Sequence, residues 1–338
     1  MSRRSVVTVS DVARAAGVSP GTVSKALSGT GQLRAETRDH VRAVAADLGY
    51  QPNQLAKSLQ TGRSYMVGVL TTDSIGRFTI PILTGAEDVL GAGQMSMLLC
   101  ESRGDPVRER HYLQTLLSRR VDGIIVTGRS SDERASIGTD LPVPVVYALT
   151  RSTDPADISI LHDDRQGARL AVEHLVATGR RRIVLVGGPP PHVATMHRLQ
   201  GTSDAMTAMG LELIAEPLFG SWSEEWGREA ASWLARSGRE FDGAFCMSDQ
   251  IARGFSDGLR EHGRNVPHDV GVVGMDNWDV MVNSARPPLS TVDLQLAKLG
   301  SLTATILLAR IAGESVEPGS RLVPASLIMR ESTSVAAL

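Results

Sequence analysis

The 338-residue sequence has two cysteines, no apolar run long enough to cross a bilayer and almost no net charge, −2 at pH 7. Each scarcity excludes something. Cys100 and Cys246 stand inside apolar, strand-like runs without metal-ligand neighbours, so they read as small core residues in a reducing compartment rather than as a disulfide framework or metal site. No membrane-spanning helix is expected. The opening MSRRSVV carries two arginines with no apolar segment behind them, so it is not read as a secretory signal, and the expected location is cytoplasmic. The motifs of cofactor and nucleophile chemistry are also missing. Neither VGVLTTDSIGRF nor LVGGPPP supplies a G-x-G-x-x-G turn, and no P-loop, G-x-S-x-G or His/Cys metal spacing appears. The run His162-Asp163-Asp164 reads as a polar helix start rather than a catalytic pair. No cofactor is expected, and an enzyme is the disfavoured reading.

What is present is unevenly placed. Residues 1–64 hold nine Lys/Arg against four Asp/Glu, a surplus of five, which leaves −7 for the rest of a chain whose total is −2. A basic head on an acidic body suits a small module drawn to phosphate while the body stays off it. Within the head, TVSDVARAAGVSPGTVSKALSG (8–29) places Val9, Val12, Ala13 and Ala16 at the three-and-four spacing of one helix face, and Val23, Ala26 and Leu27 repeat the spacing. Ser19 before Pro20 marks a second helix start, and Thr8 with Asp11 has capping-box spacing. Gly17 permits the turn between them, and Val18 plugs the angle. The pattern is that of a helix-turn-helix or of an ordinary helical hairpin. Residues 35–48 add a third helix with Val41, Val44, Ala45 and Leu48 on one face, although Arg34 is a poor cap.

From Met66 the pattern becomes short apolar runs alternating with amphipathic stretches: MVGVLTT, MSMLLCE, VDGIIVTG, VPVVYAL, ISILHDD, RRIVLVGG, FDGAFCMS and DVGVVGMD. Runs buried on both faces, each followed by a helix, imply parallel sheets and right-handed βαβ units. The rhythm breaks near residue 160 and restarts with the helix DRQGARLAVEHLVATG.

Three consecutive motifs carry a resemblance. Thr8, Asp11, Val12, Ala13, Ala16, Gly17, Val18 and Ser19 are followed by Thr22, Val23, Ser24 and Leu27, then by Tyr50, Pro52, Asn53, Ala56, Ser58 and Leu59. The chain resembles the LacI/GalR family of bacterial transcription factors, whose pattern runs T-x-x-D-V-A-x-x-A-G-V-S, T-V-S-x-x-L and Y-x-P-N-x-x-A-x-S-L. The resemblance implies an all-α, lambda-repressor-like head (1–52), a hinge helix and linker (53–64), and an α/β periplasmic-binding-protein-like body (65–338) of two Rossmann-like subdomains. Subdomain 1 would take about 65–162 and 292–323, and subdomain 2 about 163–291 and 324–338. A leucine-heptad tail is not seen after ESTSVAAL, so the expectation is a homodimer.

On this resemblance the partners are a double-stranded DNA operator and a small-molecule effector, and the protein represses carbohydrate genes. The DNA-contacting candidates are Thr8, Ser19, Thr22, Ser24, Lys25 and Gln32 in the head and Asn53, Ala56, Lys57 and Leu59 in the hinge. Pro20 and Gly21 offer no side-chain donor or acceptor, so direct readout rests on few groups, with Lys25 facing either a guanine or a phosphate. Hinge residues 53–64 read by themselves as a plain linker, because so few residues rarely hold a helix in water. The resemblance pairs them with their dimer mate in the minor groove, where Leu59 would wedge a central CG step of a palindromic site.

The implied effector cleft is lined by Asp73, Phe78 and Thr79 from one subdomain and by His192, Arg198, Trp222, Ser248 and Asp276 from the other. HRLQG (197–201) and GMDN (274–277) anchor the alignment. Arg198 and Asp276 would serve vicinal hydroxyls, and Phe78 and Trp222 would supply flat apolar walls. An ion pair is the rival role for the first two, and core packing for the second two. Leu149 stands where several relatives keep an aspartate, which removes a polar contact. A sugar is the expected effector and a nucleobase the alternative. A sugar-binding protein or an enzyme on the same α/β fold is the alternative of another class.

Overall fold

Local sequence chemistry starts each head helix. In the computed structural model, which describes residues 7–28, 31–50, 62–74, 76–92, 95–138 and 140–334, helix α1 (Val9–Ala16) opens on the Thr8/Asp11 capping box. It ends at Gly17, whose φ of 66° is a left-handed conformation natural to glycine. Helix α2 (Pro20–Ser28) starts where Ser19 Oγ accepts the Thr22 N–H at 3.1 Å. Helix α3 (Ala35–Asp47) has no side-chain cap at Arg34. Val12, Ala13, Ala16, Val23, Ala26, Val41 and Ala45 form its core, with Val18 and Val44 packed on the rim. Leu48 corrects the expected apolar face. It is the C-cap residue, its N–H still bonded to Val44 O at 3.1 Å, and is 39% exposed, because it stands at the end of the helix past the core that α1 and α2 cover.

The head (1–64) and the body (65–338) are separate compact units. In the body, the apolar runs become strands. A first sheet takes β1 (Met66–Thr71), β2 (Ser96–Glu101), β3 (Gly123–Thr127), β5 (Val145–Ala148), β7 (Ile158–His162) and β13 (Gly319–Val323), ordered β13-β7-β5-β3-β1-β2 and parallel throughout. A second sheet takes β8 (Ile183–Gly187), β9 (Leu218–Phe219), β10 (Gly243–Cys246), β11 (Gly271–Met275), β12 (Ser290–Asp293) and β14 (Ser326–Ile328), ordered β14-β12-β11-β10-β8-β9. Only β14 runs antiparallel to its neighbour there. β4 (Glu133–Arg134) and β6 (Arg151–Ser152) form a small ribbon.

Helices cover both faces of these sheets, as parallel strands buried on two sides require. Around the first sheet lie α4 (Thr79–Ala92), α5 (Pro106–Ser118) and α11 (Leu296–Ile311). Around the second lie α6 (Asp164–Ala177), α7 (Val193–Ala208), α8 (Glu224–Arg236), α9 (Asp249–Glu261) and the short α10 (Asp279–Val282). The chain therefore passes between the layers after His162, after Asp293 and after Val323. Helices α8 and α9 meet closely at glycines: a Cβ on Gly254 would stand 1.9 Å from the Glu224 carbonyl oxygen, so only hydrogen fits. Both cysteines are free and buried, and burial raises both thiol pKa values. Among the described residues no helix is long and apolar enough to cross a membrane.

Candidate functional site

In the head, the exposed side of α2 carries Ser19, Pro20, Gly21, Ser24 and Lys25, with Thr22 half-buried and Gln32 exposed beyond the helix. Few of these groups are free for a partner. Ser19 Oγ and Thr22 Oγ1 lie 2.9 Å apart and serve each other. Thr8 is exposed, but its hydroxyl donates to Asp11 Oδ2 at 2.6 Å and accepts the Asp11 N–H at 3.3 Å. Lys25 and Ser24 are the side chains left projecting. Asn53, Ala56, Lys57 and Leu59 lie outside the described residues.

The body places its chemistry where parallel sheets place ligands, at the carboxyl ends of strands. A cavity of about 520 Å³ is walled by the segments after β1, β3 and β5 and the end of β7 and, opposite, by those after β8, β9, β10, β11 and β12. Seven of the eight ligand candidates line it: Asp73, Phe78, His192, Arg198, Trp222, Ser248 and Asp276. Thr79 does not, which corrects the sequence expectation. It is 2% exposed, and its hydroxyl lies 2.9 Å from that of Thr71, so it belongs to the packing of α4 on β1.

Several lining groups are already engaged. The Asp73 carboxylate accepts the backbone N–H groups of Gly76, Phe78 and Thr79 at 2.9–3.2 Å and so clasps its own loop. Ser248 caps α9 by accepting from Ile251 N. His192 accepts the Trp222 indole N–H at Nδ1, 2.9 Å, which fixes both rings on one wall.

A line of alternating charge crosses the floor. His162 Nε2 lies 3.0 Å from Asp164 Oδ2, and Arg198 Nε donates to Asp164 Oδ1 at 2.7 Å. Arg198 also donates to the Met247 carbonyl, and its Nη2 stands 3.5 Å from Asp276 Oδ1. Asp276 Oδ2 pairs with Arg77, whose Nη1 donates to Gln250 at 2.8 Å. Burial works against the charged form of Asp164, but Arg198 and His162 outweigh it and hold this carboxyl well below the usual range. Asp249, behind Asp276, is raised by burial and by the Asp276 charge. Asp276 itself has a φ of 117°, a strained backbone for a non-glycine residue, pinned by its N–H bond to Val292 O at 2.8 Å. Leu149 is wholly buried, adopts a φ of 69° and adds apolar wall to the cavity.

Sequence reading missed Arg77, Asp132, His162, Asp164 and Gln250. The run 162–164 does start a helix, with Asp163 accepting Gln166 N as the cap, but Asp164 faces Arg198 and His162 lines the cavity. Arg77 carried no motif, and only its position four residues after Asp73 set it near the site.

A helix-turn-helix head followed by a periplasmic-binding-protein-like body is the build of a DNA-binding transcriptional regulator. The comparisons agree with it. Residues 8–53 match the family model for bacterial regulatory proteins of the lacI family, and residues 172–333 match the periplasmic binding protein-like domain. The chain is 31% identical over 329 residues to the HTH-type transcriptional regulator RegA of Clostridium saccharobutylicum, covering 96% of this chain and 98% of that one. Its structure resembles the Lac repressor dimer bound to operator and the anti-inducer ONPF, with a TM-score of 0.77 and 30% identity over 97% of this chain and 99% of that one. It also resembles the transcriptional regulator CelR in complex with cellobiose, with a TM-score of 0.65 and 29% identity over 96% and 99% of the two chains. The chain belongs to the lacI family of bacterial regulatory proteins: it is a DNA-binding transcriptional regulator and not an enzyme.

Proposed function

We propose that the protein is a dimeric repressor of carbohydrate-metabolism genes, bound to a palindromic operator and gated by a sugar in the body's cleft. Residues 1–52 read the major groove, 53–64 form the hinge with Leu59 as minor-groove wedge, and 65–338 sense the effector and dimerise. The observation that carries the sugar reading is the Arg198–Asp276 pair facing a cavity walled by Phe78 and Trp222. Paired donors and acceptors beside flat apolar rings suit hydroxyls at a sugar's rim and its C–H faces. The likeness to a regulator solved with cellobiose supports the same class. A ligand shifts DNA affinity only through its differential affinity for the DNA-competent and DNA-incompetent arrangements.

A thermal-shift screen against monosaccharides, oligosaccharides and nucleobases tests the reading, because a ligand of the folded form raises the midpoint by mass action. A sugar response that Asp276→Asn abolishes is the expected result. A response to nucleobases alone moves the protein to the purine-type reading, and silence across the panel overturns both. On the DNA side, Leu59→Ala should weaken operator binding and reduce its bend; unchanged affinity and bend would remove the wedge.

A further inference from the structure

Asp276 is the acceptor offered to a ligand, yet the protein fills both of its oxygens itself. The two guanidinium groups come from opposite layers: Arg198 from α7, on the second sheet, and Arg77 from the loop after β1, on the first. Arg77 makes further contacts across the cavity. It donates to Gln250 at 2.8 Å, and its guanidinium carbon stands 4.6 Å from the Trp278 ring and 4.8 Å from that of its neighbour Phe78. Three of these four partners, Asp276, Gln250 and Trp278, belong to the second layer. The Arg77 side chain is only 13% exposed, and its buried Nε has no hydrogen-bond partner. A guanidinium close to two rings, paired at its outer nitrogens and orphaned at Nε is held firmly but incompletely satisfied.

We propose that Arg77 is a resident occupant of the effector cleft: it latches the two layers together, and the effector binds by taking Asp276 and Gln250 from it. The proposal rests on reading the cleft as the effector site. Displacement is asymmetric in cost. A freed Arg77 hydrates readily, because its long side chain reaches water. Asp276 would keep only Arg198, 3.5 Å from its other oxygen, and a buried carboxylate with one oxygen unpartnered is unfavourable. The incoming molecule must therefore bring hydrogen-bond donors to that carboxylate, as vicinal hydroxyls do, and Arg77 sets the threshold that any weaker donor fails to pass. Arg77 then shares the hold on the layers with the bonds from Val193 N–H to Asp132 at 3.0 Å and from Ser131 to Asp164 at 3.3 Å, and it is the member that a ligand of Asp276 displaces, in the manner of a hinged cleft.

The test uses the full-length, ligand-free protein with spin labels at Asp88→Cys on α4 and Glu229→Cys on α8, diluted with unlabelled chain, and measures the distance between layers by pulsed electron resonance. The parent is expected to give one narrow distribution, and Arg77→Ala to add a longer-distance population. Arg77→Lys keeps the charge but loses the planar fork and the ring contacts, so it is expected to fall between the two, and it carries the test should Arg77→Ala fail to fold. An unchanged distribution in the folded variants overturns the latch. Titration with cellobiose then separates the latch from the effector reading. If cellobiose binds the parent, Arg77→Ala should tighten its apparent affinity by about tenfold through a larger open population. Equal affinities would overturn the competition. If cellobiose binds neither protein, this sugar is excluded as effector and the distance measurement alone decides the latch.

Discussion

The head and the body's cleft use polar side chains in opposite ways. In the head, hydrogen bonds join residues three apart, Thr8 with Asp11 and Ser19 with Thr22, at exposed helix starts. In the cleft, buried charges join residues 34, 78 and 199 positions apart, as Arg198–Asp164, Arg198–Asp276 and Arg77–Asp276 do. The difference has a physical consequence. An exposed local cap stabilises one helix and can be lost alone, whereas a buried ion network holds several elements at once and leaves an unpaired charge when any member goes. The exposed side of α2 keeps few side chains free, so the proposed reading of DNA leans on phosphate contacts. The cleft concentrates charge but cancels it internally, so a ligand must exchange partners rather than simply add them.

The largest test of this contrast is Asp164→Asn. It removes the closest carboxylate charge from buried Arg198, leaving it Asp276 at 3.5 Å and the Met247 carbonyl, and should destabilise the body by about 3 kcal/mol, read as a fall in denaturant midpoint. The pH dependence follows from the depressed Asp164 carboxyl. A carboxyl whose folded pKa lies below its unfolded value stabilises the fold above the ordinary aspartate range and loses that contribution as pH falls. The parent's melting temperature should thus drop on acidification below about pH 4, and the variant's should drop less steeply. Asp249 has the opposite sign, since its raised pKa favours the fold at low pH and that contribution is lost as pH rises through the raised value. A steep acid limb retained in Asp164→Asn would show that the network does not govern the body's response to acid.

Next in size is Gly254→Ala. The new methyl would meet the Glu224 carbonyl at 1.9 Å, so α8 and α9 must part, at a cost of about 1–3 kcal/mol. Urea unfolding should show the loss, and an unchanged midpoint would mean that the helix pair yields without penalty. Lys25→Ala then sharpens the head's side of the comparison. If Lys25 contacts a guanine, the variant loses about 1–3 kcal/mol of operator binding and tolerates substitution at that base pair. If it contacts phosphate, affinity falls uniformly and the salt slope decreases by about one. Operator titrations at several salt concentrations distinguish the two.

The same contrast explains what the sequence made legible. The head's caps, turn glycine and apolar face lie within a few residues of one another, so spacing alone placed α1, α2 and the turn, and eight of the body's strands stood out as apolar runs, whereas the edge strands β9, β13 and β14 and the strand β12 were not read. Leu48 was misjudged because periodicity does not report where a helix stops. In the cleft, Arg198 and Asp276 were found through family motifs, whereas Arg77 and Asp164 were missed. Arg77 meets Asp276 199 residues away, through the meeting of two sheets, and Asp164 meets Arg198 34 residues away on a neighbouring helix, and no local pattern records such pairings. Thr79 erred in the other direction, since a position carried over from a family does not fix which way a side chain turns at a helix start.

The smallest expected effect tests the local half of the argument directly. Thr8→Ala deletes the hydroxyl that accepts the Asp11 N–H and donates to its carboxylate, leaving the first turn of α1 without its reciprocal cap. Loss of such a cap costs about 1 kcal/mol. Because every bond removed lies within residues 8–11, amide exchange should quicken in α1 and weaken the packing of α2 and α3 only through the shared core of Val12 and Val23. Exchange in the body's strands should stay at the parent rate. Faster exchange in β11 or α7 would mean that the head's caps support the body after all, and the separation between a locally capped head and a network-held cleft would have to be abandoned.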